Sequence, residues 1–196
     1  MSKDTRKDAS PEQLENVENA LSKTERYIED NQKSLTIIVF AIALIVGGYF
    51  AYQKFYLQPK ENEAHAQMFV AEQYFAQDSF NLAINGDGNY LGFVDIVDEF
   101  GMTKSANLAN YYIGISYLKL GQYEDAIEYL KQFESNDKLI APIAYGAIGD
   151  AYLELDKKDE ALDFYEKAVY VSENDFTTPI YLMKVAFVNE LLEDYD

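Results

Sequence analysis

The stretches NLANYYIGISYLKLGQYEDAIEYLKQFESND, residues 107–137, and PIAYGAIGDAYLELDKKDEALDFYEKAVYVSEN, residues 142–174, are two copies of one pattern. Laid over each other, Ile113-Gly114 meets Ile148-Gly149, Tyr117 meets Tyr152, Ala126 meets Ala161 and Leu130 meets Tyr165, each pair 35 residues apart. A period of this size marks a supersecondary unit that buries its apolar face by stacking on its neighbour. Each copy reads as two helices. Small residues (Gly114, Gly149, Ala126, Ala161) stand where the helices must approach closely, and large ones (Tyr117, Leu130, Tyr152, Tyr165) fill the space around them. Leu120-Gly121-Gln122 turns the chain in the first copy, the glycine ending a helix. Leu155-Asp156-Lys157-Lys158 does so in the second.

Weaker copies flank this pair. Upstream, Val70-Ala71 and Tyr74 fit a first helix, with Tyr90–Phe100 as its partner after an insertion around Asp78–Asn89. Downstream, Val185-Ala186 and Tyr195 fit another first helix, and the sequence stops at Asp196, where its partner would start. A half-unit leaves an apolar face bare. The expectation is therefore a C-terminally truncated repeat, or a partner covering Leu182, Val185 and Val188.

These motifs resemble the tetratricopeptide repeat, a helical hairpin of 34 residues with a central alanine in its second helix. Two departures stand out. The early aromatic of the first helix is Asn110 in one copy, with Tyr111 beside it, and Tyr145 in the other. The closing proline is replaced by Lys138 and Glu173. The resemblance implies an all-α solenoid whose first helices line a concave groove. Its groove-facing places fall at Met68, Glu72 and Phe75 in the first unit, then at Leu108, Tyr111, Ile115 and Leu118. They continue at Ile143, Asp150 and Leu153 and end at Ile180, Met183 and Phe187. Such an apolar trough with isolated acids suits an extended or helical segment combining apolar and basic side chains. Inter-repeat packing accounts for the same stripe equally well.

Composition narrows the field. Sixteen lysines and arginines oppose 34 acids, a formal charge of −18, which argues against a nucleic-acid partner. The imbalance sits in residues 61–196, where 8 lysines face 26 acids and there is no arginine. There is no cysteine, so disulfides, thiolate metal sites and cysteine nucleophiles drop out together. The single histidine, His65, has only Glu61 and Glu72 as helical neighbours, a surface or groove histidine rather than a metal site. Asn85-Gly86-Asp87-Gly88-Asn89 alternates oxygens like a calcium loop, but Tyr90 and Ile96 stand where such a loop needs glycine and glutamate, so it reads as a glycine turn. No phosphate loop, nucleophile elbow or paired-carboxylate motif appears. The reading is a binding protein, not an enzyme, with no cofactor.

One stretch dominates the hydropathy. Ser34 to Gln53 (SLTIIVFAIALIVGGYFAYQ) holds no charge over 20 positions, and Lys33 and Lys54 close it. About 20 apolar residues cross roughly 30 Å of hydrocarbon as a helix. Ten of them between Leu35 and Tyr52 are Leu, Ile, Val or Phe, together contributing about −3 to −6 kcal/mol to insertion. Tyr49, Phe50, Tyr52, Phe55 and Tyr56 crowd the far end, where aromatic rings anchor at an interface. A cleavable signal would begin nearer Met1 and end in small residues, whereas 33 residues with eight acids precede this core. Lys23, Arg26 and Lys33 on one side outnumber Lys54 and Lys60 on the other, placing the N-terminus in the cytoplasm. The expected domains are thus 1–33, a cytoplasmic segment; 34–57, a transmembrane helix; and 61–196, the repeat domain. Within the first, Ser10-Pro11-Glu12-Gln13 reads as a helix start, followed by Leu14, Val17, Leu21 and Ile28 at helical spacing.

A leading helix, one uncleaved span and an exported repeat domain, with Tyr27-Ile28-Glu29-Asp30-Asn31-Gln32-Lys33 leading into the span, resemble the YfgM-like ancillary subunits of the bacterial Sec translocon. That resemblance implies an inner-membrane protein with a periplasmic repeat domain. It would associate with the SecYEG channel and a PpiD-like periplasmic chaperone and assist newly exported polypeptides. The absence of cysteine is compatible with an oxidising compartment. Two alternatives use the same physics. One is a mitochondrial outer-membrane import receptor binding basic amphipathic presequences, and the other is a client-free scaffold in a membrane complex.

Overall fold

The computed structural model describes residues 25–192, which are helical with no strand among them. The proposed helix start at Ser10, with Leu14, Val17 and Leu21, and the terminal Tyr195 lie outside the described residues. The chain divides into two compact units, with the boundary after Gln53.

In the N-terminal unit, a helical turn at 25–30 precedes α1, Gln32–Tyr52. Tyr27 and Ile28 are exposed. No residue of α1 is buried, and Ile37, Val39, Phe40, Leu44 and Ile45 all point outward. So large an apolar surface is unfavourable in water and favourable in lipid, where a helix also satisfies its own backbone. A π-helical turn covers Gln53–Leu57.

The second unit comprises α2 (Gln58–Ala76), α3 (Phe80–Asn85), α4 (Phe93–Phe100), α5 (Lys104–Lys119), α6 (Tyr123–Gln132), α7 (Ile140–Glu154), α8 (Lys158–Tyr170) and α9 (Thr178–Leu192). Consecutive helices pack as antiparallel hairpins, α5 on α6, α7 on α8, and α9 back on α8. One turn recurs at the tip of three hairpins. Gly121 and Asp156 take left-handed backbone (φ 75° and 57°), and the following N–H donates to Tyr117 O and Tyr152 O at 2.9 and 3.0 Å. Asp78 (φ 56°) makes the same turn, with Ser79 N donating to Tyr74 O at 2.9 Å. The residue five places on is an alanine each time, Ala83, Ala126 and Ala161, all fully buried.

That equivalence corrects the upstream unit. The segment expected as an insertion, Asp78–Asn89, already contains the start of the second helix, α3. The true interruption is the loop 86–92, and Tyr90–Gly92 lie outside the helix that follows. Physically, Gly86 (φ 73°) breaks α3, and Gly92 restarts the chain as an N-cap whose N–H donates to Asp95 at 2.9 Å. Gly92 must be glycine because a Cβ there would meet Asn85 C at 2.5 Å.

Three apolar cores run along the unit. Tyr117 packs on the first and second, and Tyr145 and Tyr152 on the second and third. The expectation of a bare face at Leu182, Val185 and Val188 holds for Leu182 alone. Val188 is fully buried and Val185 packs beside it, because α9 turns this face onto α8.

Candidate partner-binding surface

The structure distributes the expected trough residues between core and surface. Met68 is 1% exposed and belongs to the first core, so it offers nothing to a partner. Phe75 is half-buried, its ring 5.7 Å from Phe80 and 4.9 Å from Tyr112. Glu72 stands near Tyr112, whose hydroxyl is pushed up in pKa by burial and then by that carboxylate. Leu108 packs on the first core, and Ile115 and Leu118 pack on the second. Tyr111 meets Tyr112 edge-on and Phe133 at a tilt, with centroids 5.8 and 5.3 Å away. Leu153 packs on the third core. The residues left open are Ile143 at the start of α7 and, more fully, Ile180, Met183 and Phe187 of α9, which are 50%, 71% and 52% exposed. Their spacing of three and four places them on one helix face.

Asp150 is not a free acid. Its carboxylate accepts the Tyr165 hydroxyl at 2.6 Å and holds the Lys184 ammonium of α9 in an ion pair. Tyr181 lies over Gly146, where any side chain would collide with its ring. Burial, then Asp150, then Tyr111 push the Tyr181 hydroxyl up to about 12. Burial and the bond to Asp150 raise Tyr165 further still. Gly146, Tyr165, Tyr181 and Lys184 were absent from the sequence-derived trough. The one signal for them is a glycine in mid-helix, which marks close approach. Of the two acids expected at the trough, Glu72, half-buried on α2, is the one left.

The glycine loop is built as a turn. Asp87 accepts the N–H groups of Asn89 and Tyr90 at 2.9 and 2.8 Å and the Tyr74 hydroxyl at 2.9 Å. Those bonds, led by the two backbone donors, hold its carboxyl below the usual range. Gly86 and Gly88 (φ 73° and 87°) supply the backbone it needs. His65 is exposed on α2.

The tetratricopeptide repeat family model matches residues 111–175, the two copies with the regular 35-residue period. No curated protein matches the chain significantly. The chain is therefore an all-α protein with a tetratricopeptide-repeat solenoid and a long apolar helix toward its N-terminus. That repeat is a protein-binding architecture, so protein–protein interaction is its class of function. Gln32–Ala76 contains the stretch long and apolar enough to cross a membrane, as in a single-pass protein.

Proposed function

We propose that this protein is a membrane-anchored adaptor that holds segments of other polypeptides on its tetratricopeptide repeats as they emerge from a membrane channel. The observation that carries this reading is the open ridge of Ile180, Met183 and Phe187 in a domain of strongly negative charge. A ridge of methionine and aromatic side chains adapts to varied apolar partners, and the acid excess draws basic flanks. The fully exposed apolar α1 supports anchorage in a bilayer. By its similarity to YfgM-like subunits, the address is the bacterial inner membrane, with the N-terminus cytoplasmic and the repeats periplasmic. The fixed partners are then SecYEG and a PpiD-like chaperone, and the clients are newly exported chains.

Photocrosslinking from position 187 in native membranes tests this. A spread of newly made chains is the expected result, and Ile180→Ser with Met183→Ser should reduce it at least fivefold while leaving the helical content unchanged. Both side chains are exposed, so the fold does not depend on them. A single invariant crosslinked band would instead identify a client-free scaffold, and undiminished capture by the double variant would remove the ridge from the binding surface.

A further inference from the structure

The second helices of the two regular units carry a feature of opposite chemistry. Helices α6 and α8 both pack on α7, and between them and the loop 133–136 opens a cavity of about 580 Å³. Its floor is Ala141, Ala144 and Ile148 of α7, and its walls include Tyr145 and Phe164. The rings of Tyr145, Phe164 and Tyr152 follow one another at centroid distances of 6.3 and 5.5 Å.

Lysines gather on those rings. Lys131 lines the cavity, donates to the Tyr152 hydroxyl at 2.7 Å, and stands 5.1 and 5.4 Å from the centroids of Tyr152 and Phe164. Lys167 is 4.2 Å from the Phe164 centroid, and Lys157 is 5.9 Å from that of Tyr152. Three of the eight lysines in residues 61–196 thus converge on two rings. Among the described residues the ion pairs belong to Lys158 and Lys184, and these three have none. In a domain with 26 acids that is a separation of charge against the odds, since any of the three had carboxylates to choose from.

We propose that this cleft binds an acidic peptide segment bearing an apolar anchor residue. An ammonium has three donors and Lys131 uses one, so a carboxylate can take the others while the aromatic faces hold the charge in place. A purely apolar ligand would strip water from Lys131 and offer nothing in return, and a basic one would meet like charge. The alanine and isoleucine floor takes the anchor side chain, and a cavity of this size holds one with its neighbours. The mouth is preformed, because Asn107 holds the loop at both Glu134 N and Glu134 O, at 2.9 and 2.8 Å. Glu134 is the one acid among the lining residues, so the ligand's acids lie toward Lys131, the lysine that lines the cavity, and away from that rim, with Lys167 adding its charge beside Phe164. This site is separate from the α9 ridge and takes partners of the reverse charge.

Calorimetric titration of the full chain in neutral detergent tests the proposal, with the peptide acetyl-Asp-Glu-Phe-Glu-Asp-amide as probe. Binding is expected, weakening as salt is raised from about 50 to about 300 mM, since the pairing is partly solvated. Lys131→Glu and Lys167→Glu should each lower the affinity at least tenfold, and Lys119→Glu should leave it unchanged. Lys131, Lys167 and Lys119 are all exposed, so the variants are expected to fold, and an unchanged helical circular-dichroism signal checks it. No binding of the peptide at millimolar concentration would overturn the proposal. Equal weakening by all three variants would do so too, since it would reduce the effect to general charge. Either failure leaves the α9 ridge untouched, because that surface is probed by crosslinking and not by this peptide.

Discussion

Gly149 has no room for a side chain, since a Cβ there would stand 2.6 Å from Tyr165 Cε1. The glycine lets Tyr165 lie flat across α7 and reach Asp150, where Lys184 joins it. The sequence repeat exposed half of this: Gly149 and Tyr165 matched Gly114 and Leu130 as small and large partners, and the structure seats Leu130 against Gly114 in the same way. What the repeat concealed is that tyrosine, unlike leucine, brings a hydroxyl that consumes a trough acid. The pair Tyr165 and Tyr181 also sets an alkaline limit. Tyrosines in an unfolded chain ionise near pH ~10, and both are held protonated well beyond that here, Tyr181 up to about 12. The unfolded state therefore releases protons that the native state retains, so stability is whole below pH ~10 and falls as pH climbs toward and past 12. The midpoint of thermal unfolding should be level from pH 7 to 9 and decline steeply above 10. In Tyr181→Phe that decline should be shallower. A parallel decline in both proteins would show that Tyr181 plays no part.

Helix α5 owes its first turn to a residue far away in sequence. Thr103 caps it locally, accepting from Ala106 N at 3.1 Å, while Glu61 of α2 accepts Lys104 N, Ser105 N and Ser105 Oγ at 2.6, 3.2 and 2.7 Å. A helix N-terminus presents unmet donors and favours negative charge, so this carboxylate both caps α5 and fastens the first repeat to the second. Glu61→Ala should cost about 1 kcal/mol, the usual value of a lost cap. The expected signature is faster amide exchange at Lys104 and Ser105 than at Ala126. Unchanged exchange there would mean that Thr103 caps the helix alone. Elements of regular period were legible in the sequence, because glycine and alanine at fixed spacing leave few ways to pack. The helix α3 was not, since loop 86–92 splits the second helix of its unit and hides Ala83 from the 35-residue comparison. Tyr74, Asp78 and Ala83 repeat the spacing of Tyr117, Gly121 and Ala126, and that shorter pattern was the signal available. The open ridge of α9 was legible as apolar periodicity, yet periodicity could not separate Ile180, which is exposed, from Tyr181, which is buried.

For the molecule as a whole, the strongest constraint is α1. Its apolar side chains are exposed all round, and ten Leu, Ile, Val or Phe residues favour insertion by about −3 to −6 kcal/mol in total. An arginine near the centre costs about 2.5–3.5 kcal/mol. Ile42→Arg combined with Leu44→Arg should therefore abolish alkaline-resistant membrane association, and a single substitution should weaken it. Full retention of the double variant in the membrane pellet would mean that α1 is not the anchor. Helix α1 has no buried residue, and the three cores lie within residues 54–196.

Tyr117, Tyr145 and Tyr152 each pack on two cores at once. In a chain of stacked hairpins every joint is a place to hinge, and a side chain shared across a joint acts as a rivet through two plates. Bending either joint therefore strains the ring that crosses it, Tyr117 at the one and Tyr145 and Tyr152 at the other, so each hairpin is stiffened by the one beside it.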